Sequence, residues 1–465
     1  MAFWDLPTQT SRPALVCNRS LISYDALGGM ADDFVLQLPD FGRKSFGFLL
    51  IGHHSTFIAA YLGCLRSRKH VPLLLQPDLH PALLLQLIEH YQPDWIVAPA
   101  GITLPADYET GRADDVSRIL VRRRNADAPA LHEDLGLLLS TSGSTGTRKL
   151  VRLSYCAIAS NADAIAQYLK LNADDRAITT LPLGYSFGMS ILNSHLAAGA
   201  SLVLTNESLM SRDFWNIASE TGVTSLSGVP SSFEMMRRAG LEKRGLNHLR
   251  SLTQAGGRLR KELIAFFDEL ARAQGWEFFV MYGQTEASPR ISYVPPKRLA
   301  EKIGSIGVAI PGGNLHIDPA SSELVFEGPN VMMGYAETRT DLARGDDLNG
   351  VLRTGDLGRQ DDEGYVYLEG RLSRFVKLSG VRINLDAVEE TLAGKFGNQF
   401  AATGSDDALV IWNPEPSQHA DSSITAVLRE LFNIFPSMVS VRSVDELPLL
   451  PNGKLDYRSL NEIAR

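Results

Sequence analysis

Short apolar runs alternate with amphipathic stretches at a spacing that few folds can accept. Between residues 45 and 100 the runs SFGFLLIG, VPLLL and DWIVAP read as strands, and FIAAYLGCLRSR and ALLLQLIEHY between them read as helices. Strands separated by helical crossovers predict βαβ units and a parallel sheet buried on both faces. The same texture resumes at AITTLPL, SLVLT, TSLSGVP and EFFVMYG, so the first three hundred residues predict one large α/β body. From about residue 303 short strands and turns take over, with Pro-Gly-Gly at 311–313. After Arg371 come a basic stretch, a helical pattern at DAVEETLAGKF, an apolar run ALVIW and a helical pattern at SITAVLRELFNIF, with an exposed loop expected at 414–422. The expected domains are 1–371 and a smaller α+β unit, 372–465.

Charge and cysteine usage remove several function classes. Lys and Arg total 45 against 53 Asp and Glu, a formal net charge of −8, which argues against non-specific nucleic-acid binding. A deep anion pocket made from a few basic side chains and backbone N–H groups stays possible. Three cysteines make neither a disulfide framework nor a CxxC metal pair. His53-His54 lacks metal partners at a recognisable spacing and is expected to be structural or surface. No GxGxxG supports a dinucleotide-binding dehydrogenase. The N-terminus has an acidic residue and a proline where a signal peptide needs a basic stretch and an apolar core, and no apolar run approaches the ~20 residues of a membrane helix. The expectation is a cytoplasmic protein with no membrane or nucleic-acid partner.

The run STSGSTGTRKLV, 140–151, follows apolar LGLLL and packs hydroxyl residues and two glycines ahead of Arg148 and Lys149. Small residues let N–H groups converge on a polyanion while the lysine adds charge. A flexible Ser/Gly linker is the alternative, and a Walker A loop is excluded because Arg148 stands where glycine is required. MYGQTEAS, 281–288, places an aromatic, a hydroxyl and a carboxylate at the end of an apolar strand; a surface acidic turn is the alternative. RTGDLG, GRLSRFVKLSGVRINLDAVEE and LPLLPNGKLDYRSL follow in order. Alone, the first reads as a turn and the last as a solvated hairpin tip.

Taken together, and in this order, the five elements resemble the adenylate-forming superfamily of acyl-CoA synthetases, peptide-synthetase adenylation domains and luciferases. The resemblance covers roughly residues 45–460. It implies an α/β fold: a large N-terminal domain of stacked sheets with helices and a small β-barrel-like part, closed over by a small mobile α+β C-terminal domain. Thr141, Ser142, Gly143, Ser144, Thr145, Gly146 and Lys149 would hold ATP phosphates. Tyr282 would stack on adenine beside Gly283, Thr285 would contact phosphate, and Glu286 would ligate Mg²⁺. Asp356 would take the ribose hydroxyls and Arg371 ribose or phosphate. Ser373 stands at the hinge, where the family usually has Asp and sometimes Lys. Gly380 would line the thiol tunnel, and Lys454 would bridge the substrate carboxylate and the α-phosphate. Gln254-Ala-Gly-Gly257 resembles the glycine turn lining the adenine and acyl pockets, giving Gly256 and Gly257. SGVPSSF (227–233) resembles the acyl-pocket wall and contributes Gly228; Gln284 joins it.

The implied reaction forms an acyl-AMP from a carboxylic acid and ATP-Mg²⁺, then transfers the acyl group to coenzyme A or to the phosphopantetheine of a carrier protein acting in trans. A non-catalytic nucleotide-binding protein of the same fold is the alternative from another class. Aligned on Pro182, Tyr185 takes the gate position and Ser186 the position where amino-acid-activating domains carry Asp. Because a buried ammonium needs a carboxylate, Ser186 favours an acid without a free α-amine over an amino acid. The NGK ending tilts toward a carrier protein. Arg290 is expected at the surface, as charged side chains usually are; facing the pocket, it would recognise a second anionic or polar group.

Overall fold

The computed structural model describes every residue except 1, 8, 18–19, 103–106, 124–128, 141–148, 379–380, 406–407, 417, 451–454 and 465. By internal packing the chain divides into two units, residues 1–141, 148–315 and 326–352 in the first, 316–325 and 353–465 in the second.

Two sheets organise the first unit. The parallel run predicted from residues 45–100 forms as strands Ser45–Leu50, His70–Leu75 and Trp95–Pro99, with Ser45–Leu50 hydrogen-bonded in parallel to both others. The first two are buried at every position, the expected state of central strands covered on both faces. This eight-stranded sheet continues through Leu135–Ser140 and Leu150–Ser154 to an edge at Gly334–Ala336. The second, nine-stranded sheet has parallel pairs joining Ser201–Leu204, Arg176–Ile178, Ser225–Gly228, Ser251–Gln254 and Glu277–Gly283. It ends in antiparallel Arg290–Val294 and Val308–Ala309.

Helices fill the space between the sheets. Helix Tyr155–Tyr168 packs on strands of the eight-stranded sheet, helix Ser186–Ala197 on strands of the nine-stranded sheet, and the two helices pack on each other. Ser154 caps the former by accepting from the Ala157 N–H at 3.0 Å. The Ser186 helix is buried from Ser186 through Leu196, because apolar sheet or helix covers every side of it.

Strands Asn314–Ile317, Glu323–Glu327, Val351–Gln360 and Val366–Arg371 lie side by side in that order, most of their residues in the second unit. Beyond them, helices Leu385–Phe396 and Asp421–Phe432 enclose an apolar core with Ala408–Asn413, around Val388, Leu392, Ile411 and Leu428. The expected cut at 371/372 falls beyond this four-stranded sheet, whereas the packing division already places 316–325 and 353–371 in the second unit, where Arg353 binds Glu323 and Asp318. The 414–422 segment gives way to helix at Asp421. Among the described residues no helix is long and apolar enough to cross a membrane.

Candidate functional site

Three segments far apart in sequence meet at the C-terminal ends of the parallel strands of the nine-stranded sheet, where ligands of open α/β sheets usually lie. The first is the start of the Ser186 helix. Tyr185 occupies its N-cap without a side-chain cap bond, leaving the first-turn N–H groups without the usual side-chain acceptor. Ser186, 5% exposed, reaches across 3.2 Å to Thr285.

The second segment is the turn that carries Thr285. Strand Glu277–Gly283 runs into a short 3₁₀ turn, Thr285–Ala287, and returns as Arg290–Val294. Gly283 is required there: a Cβ would lie 2.0 Å from the Pro289 carbonyl oxygen. The turn is braced from outside. Asn330 donates to the carbonyls of Ala287 (2.7 Å) and Arg290 (2.9 Å), Asn161 donates to that of Arg290 (3.0 Å), and the Met332 N–H binds the Glu286 carbonyl. Tyr282, Gln284, Thr285 and Glu286 are thus fixed, half-buried, along one edge. The Gln284 Nε2 is buried and has no hydrogen-bond partner among the described residues.

The third segment is the glycine turn after strand Ser251–Gln254. Gln254 is 1% exposed and donates to the Ala255 and Gly257 carbonyls, tying the turn to its own strand. Gly256 has φ +81°, and a Cβ there would stand 2.7 Å from the Tyr185 hydroxyl and 2.9 Å from Val229. A Cβ on Gly257 would stand a looser 3.1 Å from Pro230, and one on Gly228, which pairs with Gln254 on the adjacent strand, would strike Ser232 at 2.6 Å. Tyr185, Gly228, Gly256 and Gly257 are therefore brought together, and burial raises the Tyr185 hydroxyl pKa.

Glu286 has a partner that the sequence does not announce. Tyr335, on the edge strand Gly334–Ala336, donates to its Oε1 at 2.8 Å. Burial first, then the neighbouring carboxylate, pushes the Tyr335 hydroxyl pKa well up, so it stays a donor. Lys149 sits 5.7 Å from the centre of the Tyr335 ring and pairs with Glu337 at 2.8 Å. Lys149 and Glu286 thus flank a single tyrosine. Among the described residues Glu286 has no cationic partner, so its carboxylate suits a divalent cation with oxygen ligands. The signal for Tyr335 was no more than an aromatic beside an acidic residue in GYAE, too common to single out.

In the second unit Asp356 is 3% exposed and pairs with Arg371 Nε at 3.0 Å, the two standing opposite each other on adjacent strands. Gly355 takes φ +73°, and Thr354 Oγ1 accepts from the Asp356 N–H, fixing the carboxylate's direction. Ser373 is the middle residue of the 3₁₀ turn Leu372–Arg374. Thr141, Ser142, Gly143, Ser144, Thr145, Gly146, Gly380 and Lys454 lie outside the described residues. Leu449 and Leu455, which flank the Lys454 segment, form an antiparallel bridge.

Two expectations concern residues outside the motifs. His53 contacts the Thr205 and Leu181 carbonyls with its two ring nitrogens, and His54 caps helix Ser55–Ser67, both structural. The surface placement expected for Arg290 is wrong: it is 2% exposed. It lies three residues past the turn on a strand whose inner face packs against the helix layer, so its side chain runs under the Phe187 ring, 4.6 Å away.

Comparison with known proteins identifies the family and the fold. The AMP-binding enzyme family matches residues 4–336. The 2-succinylbenzoate–CoA ligase of Bacillus cytotoxicus is 32% identical over 344 residues, 70% of this chain and 69% of that protein. The indoleacetate–CoA ligase of Aromatoleum aromaticum is 33% identical over 313 residues, 63% of this chain and 60% of that protein's length. The fold is that of o-succinylbenzoate CoA synthetase from Bacillus subtilis in complex with its acyl-adenylate intermediate, with TM-score 0.78 at 21% identity, covering 99% and 98% of the two chains. It is likewise that of ATP-bound MatB from Rhodopseudomonas palustris, TM-score 0.75 at 21% identity and 99% and 97% coverage. With a family match across most of its length, this chain belongs to the AMP-binding enzymes.

Proposed function

We propose that the chain is an AMP-forming acid–thiol ligase that joins a carboxylic acid to coenzyme A through an acyl-AMP. The observation that carries this reading is the Ser186–Thr285 contact, which brings the uncapped helix start, the glycine turn and the Tyr282–Glu286 edge to one place. The relatives' names, all CoA ligases of aryl-bearing acids in the two cases given above, support coenzyme A as acceptor. A carrier-protein thiol in trans, suggested by the NGK ending, is the second acceptor to test. A cytoplasmic location belongs to this reading.

In the first half-reaction a carboxylate oxygen of the acid attacks the α-phosphorus of ATP, forming the acyl–phosphate bond as the bond to pyrophosphate breaks. The 141–146 loop and Lys149 take the polyphosphate, and Thr285 orients the α-phosphate. Glu286 would be among the ligands of a Mg²⁺ ion, which would supply charge neutralisation of the phosphates. Tyr335 keeps Glu286 turned toward that position. Asp356, oriented by Thr354 and Arg371, accepts from the ribose hydroxyls. Lys454 stabilises the charge that develops in the transition state. Rotation near Ser373, dividing 1–371 from 372–465, then exchanges Lys454 for the Gly380 segment, and thiolate attack on the acyl carbonyl expels AMP. Ser186 in place of a carboxylate favours acids without an α-ammonium group.

Acid-dependent pyrophosphate release, measured over aryl, short-chain, long-chain, hydroxy and amino acids with and without coenzyme A, tests the reading. An acid that releases pyrophosphate and yields its CoA thioester supports it. Adenylation with no acylation of coenzyme A moves the acceptor to a carrier protein, and nucleotide binding with no acid-dependent release for any acid contradicts it.

A further inference from the structure

Arg290 is a buried cation with no anion paired to it among the described residues. Its side chain is almost wholly enclosed, and a guanidinium cannot shed its proton at any ordinary pH. Other deeply set arginines of this chain are neutralised. Arg152 pairs with Asp347 at 2.6 Å, Arg339 with Asp94 at 2.8 Å, and Arg374 with Glu389 at 2.6 Å and Asp386 at 2.8 Å. Among the described residues Arg290 has no carboxylate within ion-pairing distance. Among the described residues its partners are neutral: Nη2 has a long contact, 3.4 Å, to Ser190 Oγ, the guanidinium hydrogen-bonds the Tyr168 hydroxyl, and its Nε, like those of Arg152 and Arg339, is buried with no acceptor. The Phe187 ring, 4.6 Å away, offers a cation–π attraction and no counter-charge. An uncompensated buried charge costs more than that attraction returns.

The guanidinium's place identifies what would complete it. Strand Arg290–Val294 and the Ser186 helix bring it beside the segments assembled above: Ser190 lies one turn after Ser186, and the charge of Arg290 is felt by the hydroxyls of Tyr185 and Tyr168. Nε and Nη2 share one edge of the planar fork, the edge that takes a carboxylate through two parallel hydrogen bonds. A second buried donor, Gln284 Nε2, without a partner among the described residues, lies at the neighbouring strand end. Two enclosed donors lacking acceptors, beside a helix start whose N–H groups also lack a side-chain cap, call for an acceptor-rich ligand.

We propose that the acid activated here is a dicarboxylic acid, whose second, non-reacting carboxylate is bound by the Nε–Nη2 edge of Arg290. This rests on the ligase reading, in which the reacting carboxylate lies by Ser186 and Thr285. Ser186 and Ser190 are one helical turn apart, about 5–6 Å between side-chain origins. That separation fits a short aliphatic or aryl-bridged diacid and excludes a long-chain one.

The test uses matched pairs: short aliphatic and aryl-bridged diacids, each against its monoamide, which keeps the size and removes the second charge. Acid-dependent pyrophosphate release gives kcat/KM for each, with simple monoacids in the same series. The wild-type enzyme is expected to prefer at least one diacid over its monoamide by about 30-fold or more, the scale of a buried charge pair. In Arg290→Gln that ratio is expected to fall toward one, with KM for ATP unchanged. A wild-type ratio near one for every pair, or a high ratio kept by Arg290→Gln, overturns the proposal. If thermal unfolding shows that Arg290→Gln does not fold, the wild-type ratios decide alone. Turnover of monoacids with no diacid preference removes the diacid inference and leaves the ligase reading standing. Pyrophosphate release with no acid of any kind removes the ligase reading itself.

Discussion

The hydroxyl of Tyr335 donates to the carboxylate of Glu286 at 2.8 Å, across 49 residues of sequence and from a different sheet. That bond holds the carboxylate proposed to ligate magnesium. Tyr335→Phe removes the donor and leaves the ring under Lys149. A hydrogen bond to a charged group contributes about 1.5–3 kcal/mol when buried, and the half-exposed setting here puts the effect near the low end. The expected outcome is a rise of about tenfold in the magnesium concentration giving half-maximal pyrophosphate release. An unchanged magnesium dependence removes Tyr335 from the site.

Asp356 offers a sharper separation of roles. Buried beside Arg371, it is proposed to accept from both ribose hydroxyls, so Asp356→Asn, which keeps the shape, weakens those bonds selectively. Wild type is expected to discriminate against 2′-deoxy-ATP by about tenfold or more in kcat/KM, and the variant to lose most of that ratio, since each such bond contributes about 1 kcal/mol or more. Equal loss toward both nucleotides would mark Asp356 as a support for Arg371 and no more.

Two glycines should respond oppositely to alanine. At Gly283 the new methyl would meet the Pro289 carbonyl at 2.0 Å and displace the turn that holds Thr285 and Glu286. Gly283→Ala is expected to lose several kcal/mol of stability, about the scale of a severe steric clash in a packed backbone. Gly29 lies in helix Tyr24–Gln37, exposed, with nothing within 4 Å of the added methyl. Gly29→Ala is expected to stabilise by about 0.5–1 kcal/mol. Urea unfolding of both variants checks the pair, and a destabilised Gly29→Ala would count against the helix as described.

His70 sets part of the acid limit. Trp95 Nε1–H donates to Ser45 Oγ at 3.0 Å, which leaves the Ser45 hydroxyl hydrogen for His70 Nδ1 at 2.7 Å, so the imidazole is held neutral. Burial lowers its pKa from 6.5 to about 4. In that window the unfolded chain binds a proton that the folded chain does not, so stability falls as pH drops from 6.5 toward 4. His70→Gln keeps an acceptor for Ser45 and does not titrate. The slope of unfolding free energy against pH between 6.5 and 4.5 is expected to be shallower in the variant. An equal slope would assign the acid sensitivity to other groups.

The sequence carried the strands because their apolar runs are short, dense and regularly spaced, and it carried the catalytic segments because five of them occur in order. It did not carry what the fold adds by proximity. Nothing local distinguishes Tyr335 from any tyrosine beside an acidic residue, since its partner arrives from the other sheet. Arg290 reads as a surface charge because most arginines are; only the antiparallel return of its strand against the helix layer encloses it. The packing division likewise departs from the motif-based cut at 371/372, because strand Val351–Gln360 pairs with Val366–Arg371 in a sheet that local sequence does not delimit.

The most direct measurement of the central claim follows the oxygen atoms of the acid. With a substrate labelled with ¹⁸O in its carboxylate, turnover with ATP and coenzyme A is analysed by mass spectrometry of the released AMP. Attack of the carboxylate on the α-phosphorus, followed by thiol attack at the carbonyl, leaves one labelled oxygen on AMP. Label in AMP, with pyrophosphate unlabelled, is the result this account predicts; label in phosphate or pyrophosphate, with AMP unlabelled, would contradict it.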